Sequence, residues 1–309
     1  MKTNNIVCFI PARSGSTRVK NKNIRLINNR PLIYWCVFKA IKSKMFNKII
    51  FSSDSEKYFK ILIKFLKKDK IDYKNLIFDK RDNLHTKTKS KIFEYLKHDL
   101  IQKFNLSKND LLVQMLPTCP LRSIKTIKKA VNFSITTKRN CFTVCEYDFH
   151  ISFSLKIYKK KWAAVFKNSP MLTGNTQSQS QKKYYHPNGV INCLFVKSLN
   201  KQVKSIYRNA LPLIVPKIEA FDIDTEEDLK IIKTPLIGGF FLYTVFSLVH
   251  KLIVMKFLIR IFISIFFLTS TVNAAEFGLA FEWGNLKSCT TGYPNKVDNP
   301  IFTLTNVPE

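Results

Sequence analysis

The sequence predicts an α/β fold in which a mainly parallel sheet carries helices on both faces. Two patterns support this prediction. Over residues 6–134, short apolar runs typical of buried strands alternate with longer segments of helical periodicity. Short polar motifs follow the apolar runs, which is where an open parallel sheet places its ligands. We therefore expect a functional site along the carboxyl edge of this sheet.

The predicted elements follow the chain in order. Strands are predicted over residues 6–10, 49–51, 110–115 and 190–195, with a strand or loop over 71–78. Helices are predicted over 32–44, from a cap at Ser55 to 68, from Ser90 to 104, and from a cap at Ser123 to 134. From residue 141 the runs become shorter and richer in aromatic residues, so we expect a hairpin-rich insertion with strands over 141–145, 151–157 and 162–166. Residues 225–228 fit a capping box that opens a last helix.

The composition limits the class of protein. The chain has 309 residues, enough for one large domain or two small ones, and 46% of them are hydrophobic, which is ample for a core. The formal net charge is +30, and almost all of the excess lies within residues 1–234. Because the lysines are scattered and no basic helix or aromatic platform stands out, we expect no nucleic-acid binding. The charge instead favours anionic substrates.

The cysteines indicate reduced thiols. Seven are present, none in a Cys-x-x-Cys pair and none accompanied by histidines at zinc-ligand spacing. Cys8 and Cys193 lie in apolar runs and are expected in the core. We expect no signal peptide before the first strand, and we predict that the domain over residues 1–234 is cytoplasmic.

The loop over residues 10–23 is the first candidate binding element. It contains one glycine, several small polar residues and four cationic side chains, which are Arg13, Arg18, Lys20 and Lys22. Such a loop can direct backbone N–H groups at a phosphate chain while its cations supply charge. It is not a Walker loop, because no Gly-Lys-Ser/Thr run opens the following helix. On spacing alone, a phosphate-binding loop and an ordinary solvated basic loop are equally plausible.

Two carboxylates form the second candidate. Asp222 and Asp224 are one residue apart in a predicted strand, and alternate residues of a strand share a face. Both carboxylates can therefore reach one site, and two oxygen ligands suit Mg²⁺ that bridges phosphates. The alternative is a solvated strand end in which Thr225 caps the next helix. The other motifs of the chain favour the metal site.

The segment Pro11-Ala12-Arg13-x-Gly15-Ser16-x-Arg18-x-x-x-Lys22-Asn23 resembles the N-terminal signature of cytidylyltransferases that activate acidic sugars. This is the acylneuraminate cytidylyltransferase (CMP-sialic acid synthetase) family, with CMP-Kdo synthetases as more distant relatives. Further segments match in the family's order: residues 52–54, 114–122, 185–189 and 221–225. The resemblance covers residues 5–232. It implies a Rossmann-like nucleotidyltransferase sheet, a β-rich dimerisation insertion at about 141–175 and a homodimer.

The resemblance also implies a reaction and a set of residues. The reaction is magnesium-dependent transfer of CMP from CTP to the anomeric hydroxyl of a 2-keto sugar acid, a sialic-acid-like nonulosonate, with release of pyrophosphate, for surface polysaccharide or glycan biosynthesis. The implied catalytic residues are Arg13, Lys22, Asp222 and Asp224, of which Asp222 and Asp224 bind Mg²⁺. The implied nucleotide contacts are Arg13, Ser16, Lys22, Asn23, Arg81 and Ser90, and the implied sugar contacts are Gln114, Gln179, Tyr185 and Asn188.

The sequence departs from the family pattern mainly on the sugar side. Thr17 stands where sialic acid enzymes usually carry Lys, Ser178-Gln179 where they carry Arg-Gln, and Asn192 where they carry Tyr. Asn188-Gly189 taken alone also fits a simple turn. Two alternatives therefore stay open: a nucleotidyltransferase for another sugar, such as a Kdo-like acid, and an inactive membrane-anchored relative that acts as a binding protein.

The C-terminal part of the chain has a different composition. Residues 235–249 are almost uncharged, and Met255 opens a segment with cations, an apolar run over 261–268 and a small-residue cleavage pattern, as in a secretory signal peptide. Residues 235–275 are therefore predicted to be either the joint of two fused reading frames or a membrane anchor, which would associate the protein with the inner membrane. Residues 276–309 are too few for a core and are predicted to be a short exported-type tail.

Overall fold

The computed structural model describes residues 5–82, 92–199 and 205–233. All described residues belong to one compact unit. The predictions for residues 235–275, for 276–309 and for Ser90 lie outside the described residues. Within the described part, no helix combines the length and the apolar character needed to cross a membrane.

Eleven strands and seven helices make up the described fold. The strands are β1 (Ile6–Pro11), β2 (Leu26–Ile27), β3 (Arg30–Pro31), β4 (Lys48–Ser53), β5 (Leu76–Lys80), β6 (Leu111–Gln114), β7 (Cys141–Glu146), β8 (Leu155–Tyr158), β9 (Lys161–Ala164), β10 (Tyr185–Phe195) and β11 (Leu211–Ile214). The helices are α1 (Leu32–Ser43), α2 (Glu56–Lys68), α3 (Ile92–Tyr95), α4 (Ile101–Lys103), α5 (Ile124–Thr137), α6 (Pro170–Thr173) and α7 (Glu226–Lys233). A π-helical turn over Leu96–Leu100 joins α3 to α4.

Seven strands form the central sheet in the order β11-β7-β10-β6-β1-β4-β5. β1 pairs in parallel with β4 and β6, β4 with β5, and β7 with β11, whereas β10 runs antiparallel to both of its neighbours. The mainly parallel α/β prediction is confirmed. Because β10 is reversed between β6 and β7, those two strands point the same way, and their carboxyl ends lie at the same edge as that of β1.

The core occupies both faces of this sheet. On β1, Cys8 and Ile10 pack into a cluster with α1, α2 and α5, whereas Val7 and Phe9 pack into a second cluster with the helical segment 92–103. This alternation follows from the two-residue period of a strand. It explains why β1 is a continuous apolar run, since a strand that is covered on both faces has no polar face.

The region after residue 140 differs from the prediction. β7 belongs to the central sheet rather than to an insertion, because its residues are mostly buried between β10 and β11. The edge strand β11 was not predicted from the sequence. Only β8 and β9 form a separate hairpin, and residues 151–153 form a 3₁₀ turn instead of a strand.

The helix starts test three capping predictions. Ser123 caps α5, because its Oγ accepts a hydrogen bond from the Thr126 N–H at 3.0 Å. Thr225 and Asp228 form the predicted capping box before α7, with reciprocal bonds of 2.7 and 3.2 Å. Ser55 occupies the predicted N-cap position of α2, but its side chain makes no capping hydrogen bond.

Candidate active site

A cleft of about 440 Å³ lies at the carboxyl edge of β1 and β6. The phosphate-loop candidate forms one wall, the residues that follow β6 form another, and the segment before α7 completes it. The lining residues are Pro11, Arg13, Ser16, Thr17, Arg18, Lys22, Asn23, Leu116, Pro117, Thr118, Asp222 and Asp224. Six predicted site residues therefore meet in one cleft: Arg13, Ser16, Lys22, Asn23, Asp222 and Asp224.

The loop after β1 is held by a carboxylate from the next strand. Asp54, which follows β4, accepts hydrogen bonds from the Ser14 N–H at 2.8 Å and the Ser14 hydroxyl at 2.6 Å. Partial burial opposes ionisation of Asp54, but these bonds hold its pKa below the ordinary value, so it is charged. On the other side of the loop, the Asn23 amide donates to the Arg13 carbonyl at 2.8 Å. The loop is thus fixed at both ends before any ligand binds.

Lys22 joins this loop to the carboxylate segment. Its ammonium donates to the Ile223 carbonyl at 2.8 Å and to Asp224 Oδ1 at 3.0 Å. Arg18 bonds the other oxygen of the same carboxylate at 2.6 Å. Partial burial would raise the pKa of Asp224, but the two cations outweigh that effect and hold it below the ordinary value. Asp224 is therefore ionised at neutral pH.

Asp222 is in a different environment. Burial raises its pKa, a hydrogen bond from Thr118 works against this shift, and the nearby charge of Asp224 adds to it. The predicted strand is wrong here, because residues 221–224 have no regular secondary structure. The chain is nevertheless anchored at Ile223, which is fully buried and donates its N–H to the Thr118 carbonyl at 2.9 Å. Ile223 turns inward, and the two flanking carboxylates both face the cleft.

The protein groups in the cleft supply only some of the oxygen ligands that Mg²⁺ requires. Within residues 5–82, 92–199 and 205–233, no group of three or more His, Cys, Asp or Glu side chains is arranged to hold a metal ion. Mg²⁺ is commonly held by one or two carboxylates together with substrate phosphates. Two carboxylates, one of them partly desolvated and raised in pKa, therefore suit an ion whose remaining ligands come from a bound triphosphate.

Arg81 does not line this cleft. It lines a smaller cavity of about 250 Å³ with Tyr95, Asp99 and others. The side chain is 5% exposed, donates to the Ser52 carbonyl at 3.3 Å, and has an Nε atom without a hydrogen-bond partner. Burial lowers the pKa of Arg81, and the charge of Asp54 opposes that shift. Arg81 therefore interacts with the charge of Asp54, which holds the loop, although its side chain lines a different cavity.

The four predicted sugar contacts are dispersed. Gln114 is buried at the end of β6, where its Oε1 accepts from the Asn192 amide at 3.3 Å. Asn188 accepts bonds from the Thr143 hydroxyl at 2.7 Å and the Val190 N–H at 3.1 Å, and its Nδ2 is buried without a partner. Gln179 and Tyr185 are exposed, and neither lines the cleft.

The turn at Asn188-Gly189 has a clear structural role. Gly189 has φ +67°, and a Cβ atom there would lie 2.6 Å from Leu116 Cδ1. The irregularity in the pairing of β10 with β7 falls between Pro187 and Asn192. This local geometry explains the Asn-Gly pair without a ligand.

Three residues make contacts in the site that were not predicted from the sequence. Arg18 pairs with Asp224, and Thr118 hydrogen-bonds to Asp222. Arg122 is fully buried and donates to the Leu116 carbonyl at 2.8 Å and the Val190 carbonyl at 2.7 Å, which fixes the cleft wall. All three lie within the matched motifs, but their partners are distant in sequence and no local pattern shows them.

Comparisons with known proteins agree with this geometry. Residues 7–193 match a family described as Cytidylyltransferase. Post-translational flagellin modification protein B of Campylobacter coli is 32% identical over 240 residues, covering 74% of this chain and 93% of that protein. N-acylneuraminate cytidylyltransferase of Escherichia coli O18:K1:H7 is 28% identical over 232 residues, covering 73% of this chain and 51% of that protein.

A solved structure supports the same fold. The structure of CMP:2-keto-3-deoxy-manno-octonic acid synthetase complexed with CTP has a TM-score of 0.50 and 12% identity, covering 74% of this chain and 97% of that one. The family match, the fold and the cleft lead to one conclusion: this chain belongs to the cytidylyltransferase family of CTP-dependent nucleotidyltransferases.

Proposed function

We propose that this protein transfers CMP from CTP to the anomeric hydroxyl of a sialic-acid-like 2-keto sugar acid, with Mg²⁺, in the biosynthesis of a surface glycan. The observation that carries the proposal is the meeting of a cationic loop and two carboxylates in one cleft, joined by Lys22 and Asp224 at 3.0 Å. The activity named for the Escherichia coli relative, N-acylneuraminate cytidylyltransferase, points to the class of acceptor.

The loop would bind the triphosphate. Arg13 and Lys22 supply positive charge, and Ser16 supplies a hydroxyl in the same loop. Negative charge grows on the α-phosphate oxygens and on the departing pyrophosphate as the anomeric oxygen attacks. Once these cations have exchanged Asp224 for the bound triphosphate, they stabilise that charge with little further reorganisation during the reaction.

The carboxylates would act on the other side of the phosphates. Asp222 and Asp224 would hold Mg²⁺, which when bound neutralises charge on the triphosphate oxygens. Asp224 is kept ionised by its cationic neighbours. Thr118 and the buried Ile223 keep both carboxylates directed into the cleft.

The direct test is pyrophosphate release by the full chain. CTP, UTP, ATP and GTP are each incubated with a panel of 2-keto sugar acids, with Mg²⁺ or with a chelator. We expect release only with CTP, a nine-carbon sugar acid and Mg²⁺. Release with another nucleotide, or with CTP and only an eight-carbon acid, would show that the substrate assignment is wrong.

We also propose that the enzyme is a homodimer formed through the segment 149–172. Its apolar side chains are unusually exposed: Phe149 at 70%, Ile157 at 77%, Tyr158 at 71%, Trp162 at 51% and Leu172 at 60%. Both faces of the β8–β9 hairpin are open, and apolar patches of this kind commonly mark interfaces. Light scattering should give a dimer for the full chain, a monomer for Ile157→Glu, and a dimer for the control Lys156→Glu. A wild-type monomer would refute the assignment.

A further inference from the structure

A cysteine and a histidine form a close pair outside the nucleotide cleft. Cys145 on β7 and His186 on β10 are directly opposite in the antiparallel pairing of the two strands. The Cys145 sulfur lies 3.2 Å from His186 Nε2, which is within hydrogen-bond reach for a thiol. No part of the proposed nucleotidyl transfer uses either side chain.

The surroundings of His186 fix which nitrogen is the acceptor. Its Nδ1 lies 3.1 Å from the Pro187 carbonyl oxygen, and a carbonyl can only accept, so Nδ1 carries the hydrogen. Nε2 of the neutral ring is then the acceptor and faces the Cys145 thiol. The ring also packs against Tyr147 with centroids 4.7 Å apart. A nucleophile, a base and a group that orients the base are the elements of an activated thiol.

The pair lies beside a cavity of about 330 Å³. Its lining residues are Cys145, Glu146, Asp148, His186, Lys217, Ile218, Ala220 and Phe221. The thiol is largely buried, and this cavity gives a small molecule access to it. The Lys217 ammonium lies 3.2 Å from Asp148 Oδ1, and Glu146 adds a second carboxylate, so the lining carries no excess of positive charge and suits an uncharged reagent.

The other described cysteines lack this arrangement. Burial raises the pKa of Cys8 and Cys36, and it raises the pKa of Cys119 to about 12. A hydrogen bond with Cys141, together with burial, raises the pKa of Cys193. The same bond lowers the pKa of Cys141, whose partner in it is a thiol and not an imidazole. Cys36 has a guanidinium neighbour, Arg122, but that group is a donor and cannot accept the thiol proton. Among the cysteines that the structure describes, Cys145 alone has an imidazole as its hydrogen-bond partner.

We propose that Cys145 and His186 form a covalent modification site that reacts with small uncharged disulfides. His186 Nε2 takes the thiol proton, and the Cys145 sulfur attacks one sulfur of the disulfide. A new S–S bond forms to Cys145 as the old one breaks, and the leaving thiolate takes the proton from the imidazolium. Two electrons move with each bond, and the disulfide is the only oxidant required.

The position of the site connects it to the catalytic cleft, an expectation that rests on the proposed function. Ala220 and Phe221 line the cavity, and the next residue is Asp222. A group attached to Cys145 would fill the cavity and press on the segment that carries this carboxylate. We therefore expect the mixed disulfide to reduce nucleotidyl transfer, and a thiol reductant to restore it.

The test uses the full chain and 4,4′-dithiodipyridine, an uncharged aromatic disulfide, with peptide mapping of the labelled cysteines. Cys145 should react before Cys8, Cys36 and Cys119, and His186→Gln should slow its reaction at least about tenfold, the lower range for a lost general base. If His186→Gln does not fold, the labelling rate of each cysteine is measured instead in folded and in urea-unfolded wild type, and the two rates are compared. Folding should protect Cys119 much more than Cys145.

Several results would overturn the proposal. Equal rates at Cys145 and Cys119 in the folded protein, or an unchanged rate in His186→Gln, would exclude an activated thiol. Labelling of Cys145 with unchanged pyrophosphate release would refute its connection to the cleft. Cys145→Ser should keep its activity in the presence of the reagent. Failure of the proposed function would leave the labelling pattern unaffected, so the two ideas fail separately.

Discussion

Replacing Lys22 by Ala should weaken CTP binding far more than sugar binding. The Lys22 side chain is 13% exposed and lies between the phosphate loop and Asp224, so its ammonium is shielded from water and directed into the cleft. A hydrogen bond to a charged group contributes about 1.5–3 kcal/mol, which corresponds to a rise of about ten- to a hundredfold in the KM for CTP. The KM for the sugar acid should change little.

Arg18 provides an internal comparison for this prediction. It bonds the same carboxylate, but its side chain is 68% exposed, and an exposed ion pair contributes about 0.2–1 kcal/mol. Arg18→Ala should therefore raise the KM for CTP by about fivefold at most. Lys20→Ala is the control, because Lys20 is exposed in the same loop and does not line the cleft. Steady-state kinetics, with thermal unfolding to verify the fold, measure all three. An unchanged KM for CTP in Lys22→Ala, with a raised KM for the sugar acid, would show that Lys22 contacts the sugar acid and not the triphosphate.

Four further predictions follow from the same geometry. Asp224→Asn should abolish turnover and leave the fold intact, yet bind CTP more tightly than wild type in the presence of a chelator; near-normal turnover at limiting Mg²⁺ would remove Asp224 from the metal role. Asp222→Asn should be inactive but more stable than wild type at neutral pH. Burial raises the folded pKa of Asp222, so ionising it at higher pH destabilises the wild-type protein, and the gain from Asn should fade in acid. An unchanged melting temperature at pH 7 would contradict this prediction. Burial and the charge of Arg122 lower the pKa of Lys39 to about 7, so above pH 7 the unfolded chain binds more protons than the folded protein. The free energy of unfolding should therefore increase from pH 7 towards 10. Urea unfolding at several pH values should show this increase in wild type and not in Lys39→Met. A fragment of residues 1–234 should be soluble without detergent and fully active, and an unfolded fragment beside an active full chain would mean that the C-terminal segment packs into the enzyme.

The central sheet could be predicted because its strands follow simple rules. β1, β4 and β6 are short apolar runs between helical segments, and burial on both faces removes any need for alternation. β11 contains Pro212, and its burial pattern alternates between intermediate, exposed and buried positions. Proline is tolerated there because β11 is an edge strand. That edge position depends on the partner β7, which lies about seventy residues earlier in the chain, so a local pattern could not show it.

Part of the candidate site could be predicted, because the function of those residues is visible in a short stretch of sequence. The cations of the loop over residues 10–23 and the spacing of Asp222 and Asp224 led to the cleft, although the second segment is not a strand. The segment is anchored by the bond between the Ile223 N–H and the Thr118 carbonyl, a contact across more than a hundred residues. The sugar side could not be predicted in the same way. Asn188 and Gly189 shape a turn against Leu116, and their residue types are explained by that packing.

Under the proposed function, the charges of the cleft should couple the binding of nucleotide to the binding of metal. In the described structure Lys22 and Arg18 are both paired with Asp224, so an incoming triphosphate competes with this carboxylate for the same cations. Once the phosphates take them, Asp224 is left ionised beside Asp222, whose own pKa is already raised by burial and by that neighbour. A divalent cation removes this repulsion and is itself drawn to the phosphates. Each ligand therefore improves the affinity of the other, and by linkage the two effects must be equal. Neutralising Asp224 removes the carboxylate that couples CTP binding to metal binding. We therefore expect Asp224→Asn to bind metal-free CTP more tightly than wild type and to lose catalytic activity.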